Sequence, residues 1–131
     1  MKRLVVLTIL AALALFAVGC GGDGKAAGAP RQASAAEAQK MMASEKDYII
    51  LDVRTKSEYG MGHIPKAINI ANESIGSQPP AELPDKDQLI LVYCRSGKRS
   101  HDAAQKLAAM GYGNVVDFGG IMDWPGEVVQ D

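Results

Sequence analysis

Cys94-Arg95-Ser96-Gly97-Lys98-Arg99-Ser100 is the segment of this chain whose residue types and spacing could do chemistry. It follows the apolar run Gln88-Leu89-Ile90-Leu91-Val92-Tyr93 and precedes a helical pattern. A loop turning from strand into helix can aim several backbone N–H groups inward as an anion nest, and the helix N-terminus reinforces it. Gly97 permits the positive φ that a tight curl needs. Ser100 suits the helix N-cap, and Lys98 and Arg99 add positive charge. A thiol at the root of such a loop lies in the electropositive surroundings that favour the thiolate, which is the nucleophilic form. The plainer alternative for Cys94 is a small buried hydrophobe, as most free cysteines are.

The elements that must hold this loop alternate between strand and helix. Ser34-Ala35-Ala36-Glu37 is a capping-box pattern, with Ala38, Met41 and Met42 on one apolar face of a helix ending near Ser44. Tyr48-Ile49-Ile50-Leu51-Asp52-Val53 reads as a strand covered on both faces. Thr55-Lys56-Ser57-Glu58 is a second capping box, for a short helix stopped by Gly60 and Gly62. Ala67-Ile68-Asn69-Ile70 predicts a short strand, and residues 72–87 a long polar loop with at most one helical turn. Residues 88–93 form the clearest strand, and residues 100–110 a helix closed by Gly111. Val115-Val116-Asp117-Phe118 is a further strand, followed by a last turn at residues 121–124. This order argues for an α/β fold, a parallel sheet with helices on both faces. Chemistry in such a fold sits at the carboxyl end of a central strand.

Composition narrows the classes. The 131 residues are 47% apolar and 22% charged, with a formal net charge of −1. That balance lacks the basic footprint of a nucleic-acid binder. Two cysteines, Cys20 and Cys94, cannot build a multi-disulfide scaffold. Met1-Lys2-Arg3 followed by a nearly unbroken apolar run over residues 4–18 has the layout of a secretory signal. The run is too short for a comfortable membrane span. Ala17-Val18-Gly19-Cys20 then resembles a bacterial lipoprotein lipobox. The resemblance implies a signal peptide at 1–19, lipidation of Cys20, and a membrane-anchored protein facing the periplasm or the cell surface. Cleavage would also remove Lys2 and Arg3, leaving twelve basic against fifteen acidic residues. Residues 20–31, rich in Gly and Ala, read as a flexible linker, and 32–131 as one folded domain.

Three motifs occur in order along that domain. Leu51-Asp52-Val53-Arg54, Glu58-Tyr59 and Gly62-His63-Ile64-Pro65-Lys66-Ala67-Ile68-Asn69-Ile70 form the first, Tyr93 through Ser100 the second. Gly111-Tyr112 with Gly119-Gly120-Ile121-Met122-Asp123-Trp124 form the third. Together they resemble the signature of rhodanese domains, with Lys66 standing where that family usually has Gly. The resemblance implies a rhodanese-like fold with a five-stranded parallel sheet, and sulfane-sulfur transfer through a persulfide on Cys94. It further implies a small sulfur-donor anion such as thiosulfate, bound by Arg95, Ser96, Gly97, Lys98 and Arg99. A thiol acceptor such as a thioredoxin-like protein, or cyanide, would take the sulfur, with no cofactor and no metal. Asp52 and Arg54 are expected to support the loop structurally as an ion pair. His63 reads as a hydrogen-bonding turn residue, since no second ligand stands at zinc spacing.

Loop length separates this reading from the Cys-x5-Arg phosphatases, which place arginine six positions after cysteine. Here Arg99 is five positions on and residue 100 is Ser, so the loop suits a sulfur atom better than a tetrahedral oxyanion. A non-catalytic sulfur carrier or partner-binding module of the same fold is the alternative.

Overall fold

The run from Leu89 to Cys94 is buried at all six positions, and strand geometry explains how. Successive side chains leave opposite faces of a strand. Ile90, Val92 and Cys94 therefore enter one core, and Leu89, Leu91 and Tyr93 the other. A central strand of a doubly covered parallel sheet must be apolar on both faces. The computed structural model describes residues 29–130; the expected signal peptide and Cys20 lie outside them.

Five strands form the sheet: β1 (Arg31–Gln32), β2 (Tyr48–Asp52), β3 (Ile68–Asn69), β4 (Leu89–Cys94) and β5 (Val115–Gly120). Their spatial order is β1-β5-β4-β2-β3, and every pairing is parallel. The fold is α/β, a five-stranded parallel sheet with helices on both faces. Helix α1 (Ala35–Ser44) buries Ala38 in the core that holds Leu91, Tyr93 and Phe118. On the opposite face, α3 (Lys98–Ala109) buries Ala103, Ala104 and Leu107 against Ile90 and Val92. Between β2 and β3 lies the short helix α2 (Lys56–Met61). From β2 the chain steps outward to β3, then returns to the far side of β2 to form β4. The strand order reverses there, and such a switch point opens a crevice at the carboxyl ends of the strands. Those ends carry Asp52 and Cys94.

Both capping boxes form: Ser34 with Glu37 and Thr55 with Glu58 each exchange side-chain and backbone hydrogen bonds. Helix α3 closes with the amides of Gly111 and Tyr112 donating to Ala108 and Leu107, a Schellman arrangement.

Four details depart from the sequence reading. Arg31, placed in the linker, joins the sheet through β5. Gly60 lies inside α2, which Gly62 ends. Strand β5 continues through Gly119 and Gly120 instead of stopping at Phe118. Helix α3 begins at Lys98 with Gly97 as N-cap, so Ser100 is its third residue, not its cap. Pairing partners distant in sequence decide each of these but the Gly60 detail, which rests on local helix geometry.

Candidate active site

Ile90, Leu91 and Val92 are fully buried, which gives the loop on the end of β4 a fixed root. The strand ends at Cys94, itself only 1% exposed, and residues 95, 96 and 98 above it are exposed. Gly97 adopts φ 110°, a left-handed conformation costly for any residue with a Cβ. That curl turns the Gly97 N–H back onto the sulfur, where it donates to Cys94 Sγ at 3.0 Å. No side chain caps α3. Its first amides therefore present the positive end of the helix at the loop.

The loop rests on β5. Cys94 is in register with Gly120. A Cβ at Gly120 would stand 2.5 Å from the Arg95 carbonyl carbon and 2.6 Å from Ser96 Cα, and closer still to the Arg95 oxygen. Only a residue without a side chain admits the loop here. Met122 N–H donates to the Arg95 carbonyl at 3.2 Å and holds it down. Behind the loop, buried Asp117 uses Oδ1 to accept from Ser100 Oγ at 2.7 Å and from the Gly119 amide at 3.0 Å. One carboxylate oxygen thus ties the first turn of α3 to the floor strand.

Charges around the loop are not equivalent. Arg99 donates from Nη1 and Nη2 to Glu58 at 2.8 and 3.0 Å, a two-pronged pair. Glu58 also accepts from the Thr55 amide and hydroxyl. These donors, Arg99 first, hold the Glu58 carboxyl down at about 2, and the same bond raises Arg99. The positive charge of Arg99 is therefore spent mainly on α2. Arg95 and Lys98 make no side-chain hydrogen bond or ion pair among the described residues.

A buried network lies under the crevice. Arg54 donates from Nε and Nη2 to Asp52, at 3.0 and 2.6 Å, and from Nη2 to the Gly62 carbonyl at 2.7 Å. Burial pulls the guanidinium down, but the bonds and charge of Asp52 outweigh it and its pKa is raised. Tyr93 Oη donates to Asp52 Oδ2 at 2.6 Å and accepts from the Ile64 amide at 3.1 Å. Burial and the neighbouring carboxylate push the Tyr93 phenol up. Ends of β2 and β4 and the 62–64 turn are locked into one unit. His63 is stacked on Tyr59 and pairs through Nδ1 with the Tyr59 carbonyl. Among the described residues no group of three His, Cys, Asp or Glu is placed to hold a metal.

Cys94, Arg95, Ser96, Gly97, Lys98 and Arg99 thus share one loop, with Asp52 and Arg54 beneath its edge. A cleft of about 370 Å³ runs beside it, with Arg54, Glu58, Gly62 and Arg95 in its walls. A groove of similar size between α1 and Trp124 contains no loop residue. Sequence reasoning missed the roles of Asp117, Gly120 and the Tyr93 hydroxyl. The signal for Gly120 was present, since paired glycines within a strand mark close backbone approach.

Comparison with known proteins agrees with this geometry. The family model described as a rhodanese-like domain matches residues 34–127. A sulfurtransferase of Allochromatium vinosum is 38% identical over 84 residues, covering 63% of this chain and 77% of that protein. The thiosulfate sulfurtransferase PspE of Escherichia coli K12 is 36% identical over 73 residues, covering 56% of this chain and 70% of its own length. Among solved structures, a rhodanese with anions from E. coli superposes with a TM-score of 0.59 at 32% identity, covering 64% of this chain and 99% of that one.

Proposed function

The chain belongs to the rhodanese-like domain family, and from that premise we propose that it is a thiosulfate-type sulfurtransferase with Cys94 as its nucleophile. Its named relatives are sulfurtransferases. The observation that carries the finer reading is the Gly97 N–H on Cys94 Sγ at the uncapped start of α3.

The thiolate of Cys94 attacks the outer sulfur of thiosulfate. A Cys94 S–S bond forms, the donor S–S bond breaks, and sulfite leaves with the electron pair. The remaining negative charge lies on the outer sulfur of the persulfide, within the field of the loop amides and the helix end. An acceptor thiolate, or cyanide in an assay, then attacks that outer sulfur. The Cys94–sulfur bond breaks, its electrons return to Cys94, and the product is an acceptor persulfide or thiocyanate. No proton donor is needed at either step, so the loop contributes position and positive potential. Arg95 and Lys98, whose charges are uncommitted, draw in the anionic donor; Arg99 shapes the loop through Glu58. Asp52, Arg54 and Tyr93 hold the crevice floor.

We place this domain, whose sheet starts at Arg31, behind a linker and a lipid anchor on Cys20, which puts the activity on the exported side of a membrane. The anchor is supported by Ala17-Val18-Gly19-Cys20 standing directly after the apolar run.

Thiosulfate:cyanide turnover by the purified domain, with Cys94→Ser as control, tests the reading. Turnover that vanishes in the variant, and a mass gain of one sulfur atom on Cys94 after thiosulfate, are the expected results. Equal activity in the variant overturns the assignment of the nucleophile. Persulfide formation without turnover would favour the non-catalytic carrier.

A further inference from the structure

Met61, Met122 and Val128 are the exposed large hydrophobic side chains of the described residues, at 67%, 63% and 48%. They come from α2, the turn after β5 and the C-terminal segment, yet all three line the single cleft that also contains Arg95. The rim is fixed in place. His63 and Val129 exchange two backbone hydrogen bonds of 2.8 Å, and Gln130 Nε2 donates to the Met61 carbonyl. Scattered exposed apolar residues are ordinary, but a confined group beside a reactive loop marks a contact surface.

Resting on the sulfurtransferase reading above, we propose that this apolar rim receives the sulfur acceptor, and that the acceptor is a protein cysteine flanked by apolar side chains and a carboxylate. Cyanide or a small polar thiol has no use for the methionines. A protruding cysteine reaches past the exposed loop toward the outer sulfur on buried Cys94, while its apolar neighbours lie against Met61, Met122 and Val128. Arg95, unpaired in the same wall, supplies the complementary charge for the carboxylate. Methionine side chains are unbranched and adaptable, which suits recognition of a changing partner surface. Three side chains offer on the order of a few hundred Å², far below the roughly 1,200 Å² of a stable interface. The contact is therefore transient, as turnover demands, and too small to hold a second copy of this chain.

The test loads the domain with thiosulfate and measures sulfur removal by two synthetic peptides. Each carries one cysteine and one aspartate; in one the cysteine is flanked by Leu and Phe, in the other by Ser and Gly. The wild-type rate constant should favour the apolar peptide by about tenfold. In Met61→Ser/Val128→Ser that ratio should fall to within about twofold of one, with the cyanide rate unchanged. A wild-type ratio near one, an unchanged ratio in the variant, or an equal loss toward cyanide overturns the inference. Concentration-dependent dimerisation abolished by the same variant also overturns it, in favour of a second copy. Absence of transfer even to cyanide in the wild type would instead remove the sulfurtransferase reading on which the inference rests.

Discussion

Gly120→Ala is the sharpest probe of how the fold supports the loop. The added methyl would stand 2.5 Å from the Arg95 carbonyl carbon and 2.6 Å from Ser96 Cα, where ordinary contacts are 3.4–4 Å. Both atoms are backbone, so no side chain can swing away. The loop must lift by about 1 Å, or β5 must retreat from β4, against two packed cores. Lifting the loop opens the 3.0 Å contact between Gly97 N–H and Cys94 Sγ to about 4 Å and breaks it. Overpacking of this kind costs about 1–3 kcal/mol of stability, and a displacement of about 1 Å at reacting atoms costs about 10²-fold in rate. The assay is kcat/KM for thiosulfate:cyanide transfer beside a urea unfolding curve, with Gly113→Ala as control, since nothing lies within 4 Å of a Cβ there. The expected result is a loss of about a hundredfold in kcat/KM in a protein that still folds cooperatively, and little change in the control. Activity within threefold of wild type at undiminished stability would refute the claim that the floor glycine sets the loop.

Glu58→Gln should cost about 1–2 kcal/mol at pH 7, read from urea midpoints; the carboxylate is held at about 2 against 4.5, and a quarter of it faces solvent. Because the folded value is the lower one, the contribution is complete above about 4.5 and drains away as pH falls toward 2. Wild type and variant should therefore converge in stability over that range, and a gap that persists at pH 2 would contradict the pairing. Lys66→Gly should stabilise the domain by a few tenths to about 1 kcal/mol, since Lys66 holds φ 76° after Pro65 and Lys66 Nζ recovers only part of the cost over the Tyr48 ring. A lower melting temperature would show that the ring contact outweighs the backbone strain. Cys20→Ser should move the full-length protein from the detergent to the aqueous phase on partitioning; unchanged partitioning would rule out the lipid anchor.

What this sequence could determine by itself is whatever a few neighbouring residues decide. Ser34 reaches Glu37, and Thr55 reaches Glu58, within a single turn, so both capping boxes are legible as short patterns. Unbroken apolar runs at Tyr48 and Leu89 announce strands covered on both faces, and their alternation with helices announces the parallel sheet. The family resemblance adds the count of five strands, but neither their order nor the place of the fifth. Tertiary structure decided the rest, because it depends on groups that meet only when distant segments pack. Arg99 is committed to Glu58, forty-one positions away, so a cation counted toward the anion pocket belongs mainly to an inter-helix pair. Ser100 looked like a cap, but Asp117 claims its hydroxyl from across the sheet and Gly97 takes the cap position. Arg31 becomes strand only because β5 offers its free edge. A two-letter pattern, Gly119-Gly120, becomes a floor once the loop after β4 descends onto it. Local hydrogen bonding can be read along a chain, whereas close backbone approach and the pairing of charges are properties of the packed whole.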